Sequence, residues 1–341
     1  MTDLQAPPLV TFVLFAYNQA AYIRQAVEAA LAQTYEPLEI IISDDCSSDS
    51  TFQLISDLVR AYSGPHTVVA RRNATNLGLA EHISTVMGTV NGELIVVAAG
   101  DDVSYPHRTK RVVEQWLQGG KESGSLFSMI HTISPDGRIA SYEKKAETLR
   151  YTLGDRDAGI VRTLCTGTLG CAHAWTRNVF EVFGALDKHL IHEDITIPLR
   201  SIMLGSVTFI QEELVLYRLN DDSLSKIAYR DGRERMLKMK KYWAGRIANF
   251  EQFDRDLSNA IGRRVVGTED AEWLRTIVDG QRQSALLNHA VFSGNLPQRI
   301  RAIITSSSDV PMARKTKLMF IALLPWLYKF KIPRFMAHRR S

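Results

Sequence analysis

Three acidic pairs carry the chemistry open to this chain: Asp44-Asp45, Asp101-Asp102 and Glu193-Asp194. Asp101-Asp102 follows Gly100 at the end of the apolar run Leu94 to Ala99. Paired carboxylates there are hard oxygen ligands, suited to Mg²⁺ or Mn²⁺ carrying a phosphorylated substrate. The same two residues would also make a solvated turn capping the segment that begins near Pro106. Asp44-Asp45 stands in the same place after the run Leu38 to Ser43. Turn chemistry explains one such pair; two of them, ending two strands, point into one crevice. Glu193-Asp194 precedes Ile195, Leu199, Ile202 and Met203, the spacing of a helix that Pro198 interrupts early. Carboxylates are favoured at such a start by the unpaired N–H groups, an effect expected to lower the pKa of Asp194.

The elements that must position these pairs alternate. Val10 to Phe15 reads as a buried strand, and Asn18 as the N-cap of a helix running to about Thr34. Leu38 to Ser43 is a second strand, followed by a helix with Phe52, Ile55, Leu58 and Val59 on one face. Thr67 to Ala70 is a third strand, the polar stretch from Arg71 to Gly78 a loop, and Ile83, Val86 and Met87 the buried face of the next helix. Alternation of this kind predicts right-handed crossovers and a mainly parallel sheet, whose ligands lie outside the carboxyl ends of the strands. Leu126 to Ile133, a Ser-Pro-Asp-Gly turn and Arg138 to Ala140 read as a hairpin. Ser141 to Gly159 reads as a loop or short helix over the site, and Val207 to Ile210 and Leu214 to Arg218 as two closing strands. Neither G-x-G-x-x-G nor G-x-x-x-x-G-K-[ST] occurs, so a divalent cation is the natural substitute for the backbone phosphate cradles of those motifs.

The 341 residues are 45% hydrophobic and 23% charged, ordinary globular values that exclude wholesale disorder. Three cysteines, with no C-x-x-C pair, argue for a reducing compartment and against a structural zinc site. Asp3 and two prolines near the N-terminus do not read as a secretory leader. The net charge of +4 is concentrated: Ala313 to Ser341 holds eight Lys and Arg and no acid, leaving the first 312 residues at −4. No basic stripe interleaved with aromatics runs through the folded part, so nucleic acid is not an expected partner.

Five segments then resemble family 2 glycosyltransferases in order and spacing: Val10 to Asn18 (VTFVLFAYN), Ala30 to Tyr35 (ALAQTY), Glu39 to Thr51 (EIIISDDCSSDST), Asn76 to Gly78 (NLG) and Gly100 to Asp102 (GDD). The resemblance implies an α/β GT-A fold, a mostly parallel sheet flanked by helices, binding a nucleotide-sugar. By that likeness Phe15, Ala16 and Tyr17 pack against the base and Asp44 hydrogen-bonds it. Asn18, Asp45, Asn76 and Gly78 complete the donor-binding set. Asp101 lies near the ribose or the metal, Asp102 is the ligand of Mn²⁺ or Mg²⁺, and Cys165 to Trp175 forms a wall of the site. Asp194 is the general base with Glu193 beside it, in the ionised form that the helix start is expected to favour; Arg200 supports the carboxylates and His173 is a core histidine. Two positions depart from the pattern: Ala99 stands where many members carry the first Asp of Asp-x-Asp, and Asn220 where many carry a histidine.

The expected enzyme is a metal-dependent, inverting glycosyltransferase occupying residues 8–225, with helices over 226–305. A nucleotide-sugar-binding protein without turnover and a nucleotidyltransferase are the alternatives. Residues 306–341 join a linker to the apolar run Leu318 to Tyr328, too short at 11 residues to span a bilayer but flanked by cations and holding Trp326. They read either as an amphipathic anchor on a membrane surface, which places the protein in the cytoplasm on the inner face of the plasma membrane, or as a C-terminal helix docked on its own domain or on a second copy. The expected acceptor is a saccharide or lipid-linked saccharide of surface polysaccharide or glycolipid assembly.

Overall fold

The computed structural model describes residues 6–133, 139–140, 148–219, 232–306, 315–316 and 318–319. The N-terminal half alternates as its hydrophobic pattern dictates: β1 (Val10–Ala16), α1 (Ile23–Leu31), β2 (Leu38–Asp44), α2 (Thr51–Ala61), β3 (Thr67–Arg72), α3 (Leu79–Met87) and β4 (Leu94–Ala99). Then come β5 (Val103–Ser104), α4 (Arg108–Gln118), β6 (Ser123–Ile133), β7 (Ile139–Ala140), β8 (Leu149–Thr152), α5 (Ala158–Leu164), β9 (His173–Thr176) and α6 (Asn178–Phe183). The described chain closes with α7 (Glu193–Leu204), β10 (Ser206–Arg218), α8 (Gly232–Gly262), α9 (Thr268–Ser293) and α10 (Leu296–Ile304).

One mixed sheet orders its strands β3-β2-β1-β4-β9-β6-β10-β5, with β7 on β6 and β8 on β10. The first four strands are parallel, as is the β6–β10 pair, whereas β9 runs antiparallel between β4 and β6. Strand order reverses at β1: the chain first builds outward through β2 and β3, then returns to place β4 on the other side. Such a switch point opens a crevice at the carboxyl ends of the strands.

Alternation along β1 sends Phe12, Leu14 and Ala16 into a core with α1, α2 and α4, and Val13 and Phe15 into a second core with α3, α6 and α7. A third core joins Phe127, Ile195, Leu199 and Val207 to Phe250, Phe253 and Leu257 of α8 and Leu274 and Val278 of α9. The helices after residue 225 are thus packed into the same apolar mass as α7.

Several local expectations change. Asn18 does not cap α1, which begins at Ile23; Gln19 O accepts the first two N–H groups of the turn, from Tyr22 and Ile23. Asn18 instead takes a left-handed conformation, φ 51°, and reaches across to the β2–α2 loop. The two closing strands are one, β10, whose register shifts around Glu213 let the polar Gln211-Glu212-Glu213 stretch bulge without breaking the ladder. β8 forms where a loop or helix was expected, pairing with β10, and β3 runs on through Arg72. The expected hairpin is present as the β6–β7 pair; its turn lies outside the described residues.

Candidate active site

Asp44 ends β2, and Asp101-Asp102 follows β4 after Gly100. Both strands flank β1, so the two acidic pairs emerge on the same edge of the sheet. Gly100 is closely packed: a Cβ there would lie 2.4 Å from Gln19 Oε1 and 2.9 Å from Ile23 Cδ1, so those side-chain ends would have to shift.

The residues expected on the donor side form a clasp between three loops. Ser47 donates to Asp44 through its N–H at 2.9 Å and its hydroxyl, and Arg72 Nε lies 3.3 Å from the same carboxylate. Asp44 is fully buried, and Arg72 covers it from the solvent side. Asp45 accepts from Asn73 Nδ2 (2.8 Å), Leu77 N (2.9 Å) and Gly78 N (2.9 Å), so its carboxylate shapes the loop before α3. Asn18 accepts from Ser48 N (2.8 Å) and donates its N–H to Ser47 Oγ (2.8 Å). Asn76 Oδ1 accepts from Gly78 N, whose φ of 76° suits glycine. Phe15 turns its ring face-to-edge with His82, centroids 4.9 Å apart, while Ala16 is buried and Tyr17 is exposed. Arg71 reaches Ser43 and Asn73 from β3.

Glu193 and Asp194 open α7. Pro198 lies inside that helix and has no N–H to give the carbonyl of Asp194, four residues back. Thr168 takes that carbonyl instead, through both its N–H and its hydroxyl, each at 3.1 Å. The loop so anchored packs its glycines on the acidic pair: a Cβ on Gly167 (φ 94°) would sit 3.0 Å from Asp194 Oδ2, and one on Gly170 2.5 Å from Glu193 Oε1. One residue on, the Cys171 thiol lies against Asp102, close enough to perturb its carboxyl. The five residues from Gly167 to Cys171 therefore touch Asp102 on one side and Glu193 and Asp194 on the other.

A family model described as "Glycosyl transferase family 2" matches residues 11–170. Those residues belong to glycosyl transferase family 2. An uncharacterized glycosyltransferase of Nostoc sp. is 28% identical over 218 residues, 62% of this chain and 65% of the relative. A succinoglycan biosynthesis protein of Rhizobium meliloti, ExoO, is 33% identical over 143 residues, 42% of this chain and 39% of that protein. The aligned part is thus less than two thirds of either relative's length. Among solved structures, S. aureus TarS superposes on 94% of this chain and 53% of its own with a TM-score of 0.58 at 14% identity. A mannosyltransferase from Pyrobaculum calidifontis, in complex with GDP-Man and Mn²⁺, covers 95% of this chain and 87% of its own with a TM-score of 0.53 at 16% identity. At such identities the likeness is one of fold, and the fold is the GT-A arrangement.

The family 2 stretch stops short of Glu193-Asp194, whose electrostatics differ from expectation. Burial pushes Asp194 up to about 7 against the pull of Arg246, and burial together with Asp194 pushes Glu193 up to about 8. Desolvation outweighs the free N–H groups of the helix start, so the pKa is raised where lowering was expected. Asp102 is likewise pushed up to about 7, by burial first and then by the neighbouring charge of Asp101. A carboxylate in that state is one that a cation would ionise. Among the described residues no group of three or more His, Cys, Asp or Glu is arranged to hold a metal. The donor set of Asp101 and Asp102 nevertheless fits Mg²⁺ or Mn²⁺, which takes one or two carboxylates and fills its remaining positions with water and substrate phosphate.

Four side chains of this region escaped the sequence. Arg218 donates its N–H to Asp102 Oδ1 (2.8 Å), its Nε to the carbonyl of Asp101 (3.0 Å) and Nη2 to Gln25 (2.7 Å), pinning the acidic pair to α1. Arg108, fully buried, bonds the carbonyls of Val97 and His173 across β4 and β9. Cys171 and Arg246 are the other two. Of these Cys171 fell inside the expected wall segment, Cys165 to Trp175, without a role of its own, and Arg218 left a trace as the polar end of a strand. Arg200 does not support the carboxylates: it forms a two-pronged ion pair with Asp256 of α8, at 2.7 and 3.0 Å. His173 is a core residue, stacked on Phe127 with ring centroids 4.1 Å apart. Asn220 lies outside the described residues.

Proposed function

We propose that the chain is a metal-dependent, inverting glycosyltransferase, moving a sugar from a nucleotide-sugar to an acceptor hydroxyl. One observation carries this reading: the metal-suited Asp101-Asp102 pair and the Glu193-Asp194 pair flank one five-residue segment at the ligand edge of a family 2 domain. In this reading residues 8–225 hold the transferase unit, 226–305 brace it, and Phe15, Ala16, Tyr17, Asn18, Asp44, Asp45, Asn76, Gly78 and Asp101 form the donor side. Asp102, with Asp101, holds Mn²⁺ or Mg²⁺, which when bound offsets the charge developing on the departing diphosphate.

Asp194 removes the proton of the acceptor hydroxyl as its oxygen bonds to the anomeric carbon and the bond from that carbon to the diphosphate breaks. A single displacement inverts the anomeric configuration and yields a nucleoside diphosphate. Glu193 remains protonated at neutral pH, which spares Asp194 a second charge beside it. The relatives supply the context: one is a succinoglycan biosynthesis protein, and solved neighbours hold UDP-GlcNAc or GDP-Man. The acceptor proposed is a saccharide, lipid-linked where the basic tail meets a membrane. Among the described residues no helix is long and apolar enough to cross one. The tail, nearly all of it outside the described residues, would bind the inner face of the plasma membrane through cations contributing ~1 kcal/mol each near anionic lipid.

The test is nucleoside diphosphate release from UDP-GlcNAc, GDP-mannose and a wider donor panel, with saccharide acceptors, with and without Mn²⁺. Cation-dependent release that Asp102→Asn and Asp194→Asn abolish is the expected result. Pyrophosphate as product identifies a nucleotidyltransferase, and donor binding without turnover across the panel identifies a binding protein. Co-sedimentation with phosphatidylserine but not phosphatidylcholine vesicles checks the tail.

A further inference from the structure

Arg246 lies in the middle of α8, outside the family 2 stretch, yet the field of its charge reaches the candidate base. Gly245 makes the approach possible, because a Cβ there would fall 2.1 Å from Ile191 Cγ1. Arg246 Nη1 donates to the carbonyl of Thr166 (3.2 Å), and Nη2 to that of Cys165, the last two residues before Gly167. Gly167 in turn abuts the Asp194 carboxylate, and Thr168 is tied to the Asp194 carbonyl. The clamp therefore holds the N-terminal end of the loop against which Asp194 is seated.

Charge makes this arrangement costly. Arg246 is only 6% exposed, among the rings of Tyr242, Trp243 and Phe250, and its Nε has no hydrogen-bond acceptor. Among the described residues no carboxylate comes within ion-pair distance of it. A buried guanidinium held only by two carbonyls and the Tyr242 hydroxyl (3.2 Å) is expensive unless a nearby negative charge repays it. The titratable groups on the elements packed there are Glu193 and His192 on the helix end of Asp194 itself, Cys165 beside Arg246 and Cys171 beside Asp102 in the loop, and Tyr242 and Arg246 on α8. His192 is pushed down to about 4 by burial and by Arg246, so it is neutral at pH 7 and supplies no positive charge. The cation whose field reaches Asp194 is Arg246.

We propose that Arg246 is a positioning residue for Asp194, clamping the Cys165–Thr166 carbonyls so that the loop seats the carboxylate and adding the positive charge that lets it stand ionised in a buried site. This deepens the reading of Asp194 as the base, and its test separates the two.

The experiment is a double-mutant cycle on the full chain without ligand: melting temperatures of the wild type, Asp194→Asn, Arg246→Met and the double variant at pH 5, 7 and 8.5. Expected is a coupling between the two positions that is absent at pH 5 and grows above pH 7 as Asp194 ionises. Arg246→Lys, which keeps the charge and loses the fork, should recover the pH-dependent part. If Arg246→Met fails to fold, the same cycle run with Arg246→Lys and Arg246→Gln decides by the same criterion. Additive effects at every pH overturn the proposal. With a donor in hand, Arg246→Met or Gln should move the acid limb of kcat/KM upward by about one pH unit, the effect of removing a nearby opposite charge, with donor KM changed less than twofold. An unmoved limb also overturns it. Full activity in Asp194→Asn would sink the base reading, whereas the ligand-free cycle judges the Arg246–Asp194 coupling on its own.

Discussion

Burial and the role proposed for Asp194 pull it in opposite directions. A general base must be ionised, while its desolvated position holds the pKa at about 7. The kcat/KM of the wild type is therefore expected to rise about tenfold per unit up to an apparent pKa near 7 and then level, as the base loses its proton; a pH–rate profile measures it. Stability runs the other way. The folded state keeps a proton that the unfolded chain releases near its ordinary value of ~3.9. Stability is thus lost as pH climbs from about 4 to about 7 and is level above. Asp194→Asn cannot ionise, so its melting temperature should exceed that of the wild type by several degrees at pH 8 and by less at pH 5. Its turnover should fall by 10²–10⁴, the usual worth of general base catalysis. A variant that melts lower than wild type at pH 8 would contradict the assigned shift.

Pro198 does its work four residues away from itself. By withholding an N–H from the Asp194 carbonyl it leaves that oxygen to Thr168, and so links α7 to the glycine loop between the two acidic pairs. Gly167→Ala tests the link. Its φ of 94° strains any residue with a Cβ, and the added methyl carbon would meet the Asp194 carboxylate at 3.0 Å. We expect kcat to fall tenfold or more with the overall melting temperature lowered by only a few degrees, read from initial rates and a thermal scan. The α7–α8 contact is of another kind. Arg200 and Asp256 are both buried, so Asp256→Ala leaves a guanidinium without its partner and should cost ~3–5 kcal/mol in urea unfolding. Replacing both with apolar residues of similar volume should recover most of that loss.

The third core makes one body of what reads in sequence as a catalytic unit and an extension. Ile195 and Leu199 of α7 share it with Phe250, Phe253, Leu257, Leu274 and Val278. A fragment ending at residue 225 would expose that face, so it is expected to be insoluble or to bind a hydrophobic dye and unfold without a sharp transition. A cooperative melt from the fragment would show that α8 to α10 are dispensable for folding. The same packing carries Arg246 and Asn249 to the end of α7: Asn249 Nδ2 bonds the His192 carbonyl at 2.6 Å and Thr196 Oγ1 at 2.7 Å.

Much of this molecule was legible in its residue pattern. Alternation of apolar runs with helical spacings determined the parallel half of the sheet, because strands buried on both faces and their crossover helices have distinct periods. Acidic pairs at strand ends marked one edge of the sheet as that of the proposed site, since carboxylates have no packing reason to terminate a buried strand. What local pattern does not carry is distance through space. β9 between β4 and β6, the thiol of Cys171 on Asp102, the turning of Arg200 toward Asp256 and the arrival of Arg246 from α8 all depend on contacts between residues 46 or more positions apart. The charge state of Asp194 depends on them too. Its helix start is written in the sequence, but the burial that reverses the shift exists only once loop, α7 and α8 have closed around it.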